Sequence, residues 1–159
     1  MSKTIIKRVV VSLLGLSAVG LVGIANQEDF RAKAYMPTPE DVPTVGFGST
    51  KGVHMGDTIT PVRALVRLLA EVEGEYGAAV KRCVKVPLHQ HEYDVYTRVT
   101  YNIGTTAFCK STMVKRFNTE DYPGACSAIK LFNQQKGKVL RGLVNLREEQ
   151  YKECMREPT

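Results

Sequence analysis

Apolar positions change their rhythm several times along this chain, and each change marks an element. Residues 9 to 25, VVVSLLGLSAVGLVGIA, carry no charge and follow Lys3, Lys7 and Arg8. A positively flanked apolar run of this kind is a membrane-targeting segment, with its basic end held in the cytoplasm and everything after Ala25 on the far side. Its 17 residues fall short of the roughly 20 that a spanning helix needs. Its ten large aliphatics favour insertion by about 5 kcal/mol, from which the seven Ser, Gly and Ala positions subtract. Next, Thr44-Val45-Gly46-Phe47-Gly48 alternates side chains with glycines, which predicts a short strand whose bare backbone something else approaches closely. Residues 51–59, with Gly52, Gly56 and Asp57 as turn residues, read as a hairpin return.

The rest of the chain is helical in period. Thr60 caps a helix with Pro61 at its first position, and Val62, Leu65, Val66, Leu69, Val72, Tyr76 and Val80 recur at three- and four-residue spacing. Gly74 and Gly77 are set to bend or interrupt it. Residues 92–103 present Tyr93, Tyr96, Val99 and Ile103 as the apolar face of a central helix, which Gly104 ends. Ser111 caps a short helix reaching Phe117, residues 122–132 form another with Ala125, Ile129 and Phe132 on one face, and residues 141–155 form the last.

Composition narrows the class. At 159 residues and 43% hydrophobic content, the chain supports one core and therefore one domain after the N-terminal segment. A net charge of +6 favours an anionic partner, but no block of Lys and Arg with interleaved aromatics marks a nucleic-acid binder. Cys83, Cys109, Cys126 and Cys154 all lie beyond the apolar run. In an exported domain they predict two disulfides, with three pairings open. They lack a CxxC pair, which argues against zinc or redox chemistry. His89 and His91 flank Gln90, but no third ligand follows at metal-binding spacing, so the pair reads as a solvated helix start.

One acid stands out. Glu28 follows the apolar run directly, in a crowded, partly dry setting that raises a carboxyl pKa until it holds a proton near neutral pH and serves as a general acid.

Together with Ala34-Tyr35, Val42-Pro43-Thr44-Val45-Gly46-Phe47-Gly48 and Ser49-Thr50, Glu28 resembles the active-site signature of the phage lysozymes of glycoside hydrolase family 24. Tyr101-Asn102-Ile103-Gly104, Ala107-Phe108 and Ser111-Thr112 resemble that family's central helix and following turn. Gly142-Leu143-Val144 with Arg147-Glu148 resembles its C-terminal helix, and the match spans about residues 26 to 155. The resemblance implies an α+β, lysozyme-like fold: a mainly helical domain (residues 26–159) with a small antiparallel β-hairpin lobe, preceded by a membrane segment (residues 1–25). It implies a muramidase cutting the β-1,4 bond between N-acetylmuramic acid and N-acetylglucosamine of peptidoglycan, with no cofactor. A monomer is expected.

By motif position Glu28 takes the acid role and Thr44 that of the threonine beside the attacking water, while Tyr101, Asn102 and Ser111 match positions lining the sugar cleft. The family's second carboxylate does not fall into place. Counting forward from Glu28 puts Pro37 at its position, and counting back from Thr44 puts Thr38 there. The loop is one residue longer than the family pattern, so Asp41, Glu40 or a water-orienting Thr38 stands for the missing base. That gap keeps two alternatives open, a lytic transglycosylase and a membrane-tethered peptidoglycan binder without catalysis.

For residues 1–25 three fates compete. These are a cleaved signal peptide ending at Gly23-Ile24-Ala25, a permanent anchor, and a segment that inserts and later leaves the bilayer. The last resembles the signal-arrest-release segments of secreted phage endolysins. In that case the enzyme sits on the inner membrane facing the periplasm, is off while tethered, and is released into the periplasm. One helix over residues 9–28 is expected in the released form. No Cys lies in residues 1–30, so disulfide rearrangement within this segment cannot be the switch.

Overall fold

The structure, a computed structural model, describes residues 7–158. Helices α1 (Ala18–Ala25), α2 (Pro61–Val72), α3 (Ala78–Cys83), α4 (Gln90–Ile103), α5 (Thr105–Cys109), α6 (Thr112–Phe117), α7 (Tyr122–Ala128) and α8 (Arg141–Cys154) make up most of it. Strands β1 (Arg31–Tyr35) and β2 (Thr44–Gly46) pair antiparallel, as do the shorter β3 (Gln134–Gln135) and β4 (Lys138–Val139). A small antiparallel hairpin with a strand at Thr44 was expected, but its partner is β1 rather than residues 51–59, which meet β1 through the bridge of Thr58 to Lys33. The second hairpin lies in a polar stretch, QQKGKV, that gives no strand period, and it turns on Lys136 and Gly137 at positive φ.

Helix α4 is the centre of the domain. Every residue from His91 to Thr97 is buried, because other helices and the N-terminal segment surround it. Tyr93, Tyr96 and Val99 face a core completed by Phe108, Phe117 and Ile129. Thr60 accepts from Arg63 N ahead of Pro61, and Ser111 accepts from Val114 N at 3.2 Å, so both predicted caps form. Cys83 pairs with Cys109 and Cys126 with Cys154, tying α3 to α5 and α7 to α8. Closing loops of this size is worth about 3–4 kcal/mol each in chain entropy.

Three further expectations are corrected. Residues 9–28 are not one helix. Val9 instead exchanges both backbone hydrogen bonds with Leu88 (2.8 and 2.9 Å), Val11–Leu13 makes one 3-10 turn, and the chain stays extended until Ser17 caps α1. The break at Gly15-Leu16-Ser17 has a cause on the domain: Leu16 N donates to Glu73 Oε1 at 2.5 Å, and Ser17 gives Asp94 both its N–H (2.9 Å) and its hydroxyl (2.5 Å). Among the described residues, no helix is long and apolar enough to cross a membrane. Of the basic flank, Lys3 lies outside the described residues, whereas Arg8 makes a two-pronged pair with the buried Glu92 (3.0 and 2.7 Å).

The stripe on α2 is also narrower than its period suggests. Val62 and Val66 face solvent, because the helix meets α1 and β2 only along Ala64, Leu68 and Val72. As its glycines suggested, the long helix is interrupted at Gly74 and Gly77, by one π-helical stretch, Glu73–Gly77, before α3. Finally, His91 is buried rather than solvated, stacked on His89 at 5.5 Å between centroids. Among the described residues, no three His, Cys, Asp or Glu side chains are grouped to hold a metal ion.

Candidate active site

The end of α1 places Glu28. Ile24 is fully buried in a second, smaller core with Leu68 and Val72, and the chain then winds out through Gln27 N to Ile24 O (2.9 Å) and Glu28 N to Ala25 O (3.2 Å). Phe47, Tyr76 and Tyr101 pack on the same small core, so Glu28 emerges half-buried among rings. Loss of water lifts its carboxyl above the ordinary range. The Tyr101 hydroxyl, which donates to it, draws it part of the way back, and the neighbouring Asp29 charge pushes it up. Tyr101 sits on the last turn of α4 with its ring edge-on to Tyr76 at 5.2 Å.

Two glycines of the β2 turn bring the hairpin onto these groups. Gly46, at φ +67°, backs onto α2, where a Cβ would stand 3.0 Å from that of Ala64. Its bare backbone therefore serves helix packing rather than a ligand. Gly48, at φ +87°, covers the acid: a Cβ there would stand 3.5 Å from Glu28 Oε2 and 3.8 Å from the Tyr101 hydroxyl. Gly48→Ala is expected to cost about 1–3 kcal/mol in backbone strain and, by shifting the turn over Glu28 rather than by a direct clash, to lower activity. Thermal melts and reducing-end assays on the same preparation check both, and unchanged activity with an unchanged melting temperature would count against this placement.

A cavity of about 620 Å³ opens beside the pair, with Phe47, Gly48 and Lys51 on the hairpin side and Glu71, Tyr76 and Tyr101 on the other. Its two walls are joined by contacts that sequence reasoning missed. The buried Ser49 hydroxyl donates to Glu71 Oε2 at 2.7 Å, Arg67 Nε donates to Glu71 Oε1 at 2.9 Å, and Arg67 also donates to the Lys51 carbonyl. The only signal for this in sequence is Arg67 four residues before Glu71, a spacing that usually means a solvated helix pair.

The other candidates are placed as follows. Thr44 is buried, and its hydroxyl donates to the Val42 carbonyl at 3.0 Å. Asp41 is exposed on the loop between β1 and β2, where its Oδ1 accepts from Val42 N at 2.9 Å and its own N–H donates to Thr38 O. Asp41 and Thr44 thus grip the same residue, Val42, from its two polar groups. Thr38 and Glu40 are exposed on that loop. Asn102 Oδ1 accepts from Arg147 Nη1 at 3.1 Å, and the buried Ser111 is committed to capping α6. None of these six lines the cavity, and Glu28 reaches it only through its neighbours Tyr101 and Gly48, which do.

The chain and its fold are similar to known proteins. The chain is 36% identical over 137 residues to an endolysin of Acyrthosiphon pisum secondary endosymbiont phage 1, covering 84% of this chain and 92% of that one. It is 33% identical over 147 residues to a SAR-endolysin of Pseudomonas phage phiKMV, covering 89% of each. Its fold superposes on a crystal structure of P22 lysozyme with a TM-score of 0.80 at 28% identity, over 91% of this chain and all of that one. The family model for phage lysozyme matches residues 25–150, and the chain belongs to the phage lysozyme family.

Proposed function

We infer that this protein is an endolysin, a muramidase that hydrolyses the β-1,4 bond between N-acetylmuramic acid and N-acetylglucosamine in peptidoglycan and so lyses the host. The observation that carries the reading is Glu28: a half-buried carboxyl, lifted by desolvation, against Tyr101 and Gly48, both of which line the cleft between the lobes. A carboxyl so placed keeps its proton at pH values where an exposed one has lost it, and hands that proton to the glycosidic oxygen as the bond breaks. The hydrolytic water needs a second polar site across the sugar. Thr44 and Asp41, held together on Val42, are assigned to it, Thr44 orienting the water and Asp41 accepting its proton. The full-length protein is expected to release reducing ends from purified peptidoglycan, and a complete failure to do so at any pH would sink the reading.

Asp41 has its own test. Asp41→Asn keeps the acceptor for Val42 N, so the turn survives while the base is lost. A fall of about a hundredfold or more in kcat is expected. Undiminished turnover would remove Asp41 from the mechanism and leave the water to Thr44 alone.

The same reading covers residues 1–25 and the cellular site. We take them as a segment that first holds residues 26–159 at the inner membrane, facing the periplasm, and then folds onto the domain on release. Two features support this. Among the ten large aliphatics of residues 9–25, Val9, Val10, Leu13, Val19 and Val22 stay exposed, more apolar surface than a segment shaped only for water presents. Meanwhile Val11, Leu14 and Ile24 are buried in the two cores, so the docked segment is part of the folded enzyme. While it lies in the bilayer, Glu92 lacks Arg8, Asp94 lacks Ser17 and the small core beneath Tyr101 lacks Ile24, which accounts for an enzyme that is off when tethered.

A further inference from the structure

We propose that Tyr101 is a positioning residue for the general acid: its hydroxyl fixes which oxygen of the Glu28 carboxyl carries the proton and holds that group toward the cleft. The inference rests on the reading of Glu28 as the acid, and its grounds are geometric. Tyr101 stands on the last turn of the most buried helix, so its position is set by the core rather than by a loop. Its ring is fixed by the edge contact to Tyr76 and by packing on the small core of Ile24, Leu68 and Val72. Its hydroxyl and Glu28 Oε2 lie 3.8 and 3.5 Å from one point, the place a Cβ on Gly48 would take, so both groups border the same side of the glycine turn.

The chemistry follows from donor and acceptor counting. A neutral carboxyl has one O–H, and an oxygen already accepting from a phenol is the poorer place for it. The acidic proton is therefore left on the other oxygen, free to face the glycosidic bond. When that proton moves to the leaving oxygen, Glu28 becomes a carboxylate, and the Tyr101 hydrogen bond strengthens as the charge appears. The contact thus favours the transition state over the ground state and acts on kcat. Tyr101 keeps its own proton throughout. Burial, followed by the Glu28 charge, pushes the phenol far above its usual range, so it remains a donor wherever the enzyme works.

Tyr101→Phe is the test, because it removes the hydroxyl and preserves the ring and its Tyr76 contact. Three quantities are read: kcat and KM against pH on a soluble peptidoglycan fragment, the melting temperature, and the titration of the Glu28 carboxyl carbon by NMR. The lost donor favoured the carboxylate, so its removal favours the neutral acid. The Glu28 titration and the alkaline limb of the rate profile are both expected to move to higher pH, with kcat lower by about tenfold and KM unchanged. An unmoved Glu28 titration overturns the proposal, and so does a loss confined to KM, which would make Tyr101 a sugar contact. Should the wild type release no reducing ends, the hydrolase reading falls, while the carboxyl titration still decides whether Tyr101 governs Glu28.

Discussion

Glu28→Gln is expected to lower kcat by about a hundredfold to ten-thousandfold while leaving the folded protein at least as stable as the wild type at neutral pH. The amide keeps the shape of the acid and still accepts from Tyr101, but it has no acidic proton to give. The stability half follows from the direction of the Glu28 shift. Its folded-state pKa is raised, chiefly by desolvation, so its favourable contribution is complete below the unfolded pKa and is lost as pH rises through the folded one. Above that window the wild type holds a partly dehydrated carboxylate, and the variant does not. Thermal melts from about pH 4 to 8 should show wild type and variant converging at the acid end, with the variant ahead at the neutral end. Reducing-end assays on the same samples read the activity. A Glu28→Gln protein that still cleaves would remove Glu28 from the mechanism. One that melts lower at neutral pH would mean that the carboxylate is held by favourable contacts rather than strained by burial.

Removing residues 1–25 is expected to abolish folding as well as activity. The truncated chain, starting at Asn26, loses Ile24, Val11 and Leu14 from the two cores, each worth about 1.5–3 kcal/mol of burial. It also loses every donor the segment supplies. Glu92 loses the two-pronged contact of Arg8 and keeps only His89 N, and Asp94 loses both donors of Ser17 and keeps only Gln90. Together these losses match the whole stability of a domain this size, about 5–15 kcal/mol. Circular dichroism and peptidoglycan clearing on the truncated and full-length proteins measure the outcome. A truncated chain that folds cooperatively and clears walls would contradict the docked segment as part of the enzyme, and would return the cleaved signal peptide to favour. The reverse also bears on the membrane stage: a domain that cannot complete itself without residues 9–25 has no means of acting while the bilayer holds them.

How much of this could be read beforehand differs from element to element. The α4 face of Tyr93, Tyr96 and Val99 was legible because a central helix shows its period wherever it is surrounded. The α2 face was over-read, since Val62 and Val66 satisfy the same spacing yet stay exposed. The end of the apolar run was legible as the place of an acid, and local crowding was a sound reason to expect a raised pKa. The path of that run was not. Hydropathy favours one continuous helix, whereas Glu73, Asp94 and Glu92, 57 to 84 residues away from their partners, take donors from Leu16, Ser17 and Arg8 and hold the chain extended up to Ser17. Nor did the glycine pattern of β2 reveal that Gly46 yields to Ala64 while Gly48 yields to the acid, because a positive φ looks the same from either side.

The sequence by itself determined an apolar segment ahead of a mainly helical α+β body, two disulfides, helices where the period and caps fall, and an acid, Glu28, in a setting that raises its pKa, because spacing, capping and local crowding act over a few residues. Only the tertiary structure decided which cysteines pair, that Tyr101 donates to Glu28, that Ser49 holds Glu71 and Arg67 the Lys51 carbonyl across the cleft, and that Val11, Leu14 and Ile24 of the apolar run belong to the cores. Those outcomes depend on which distant donors and acceptors meet once water has been expelled from between the lobes, and no local pattern records that meeting.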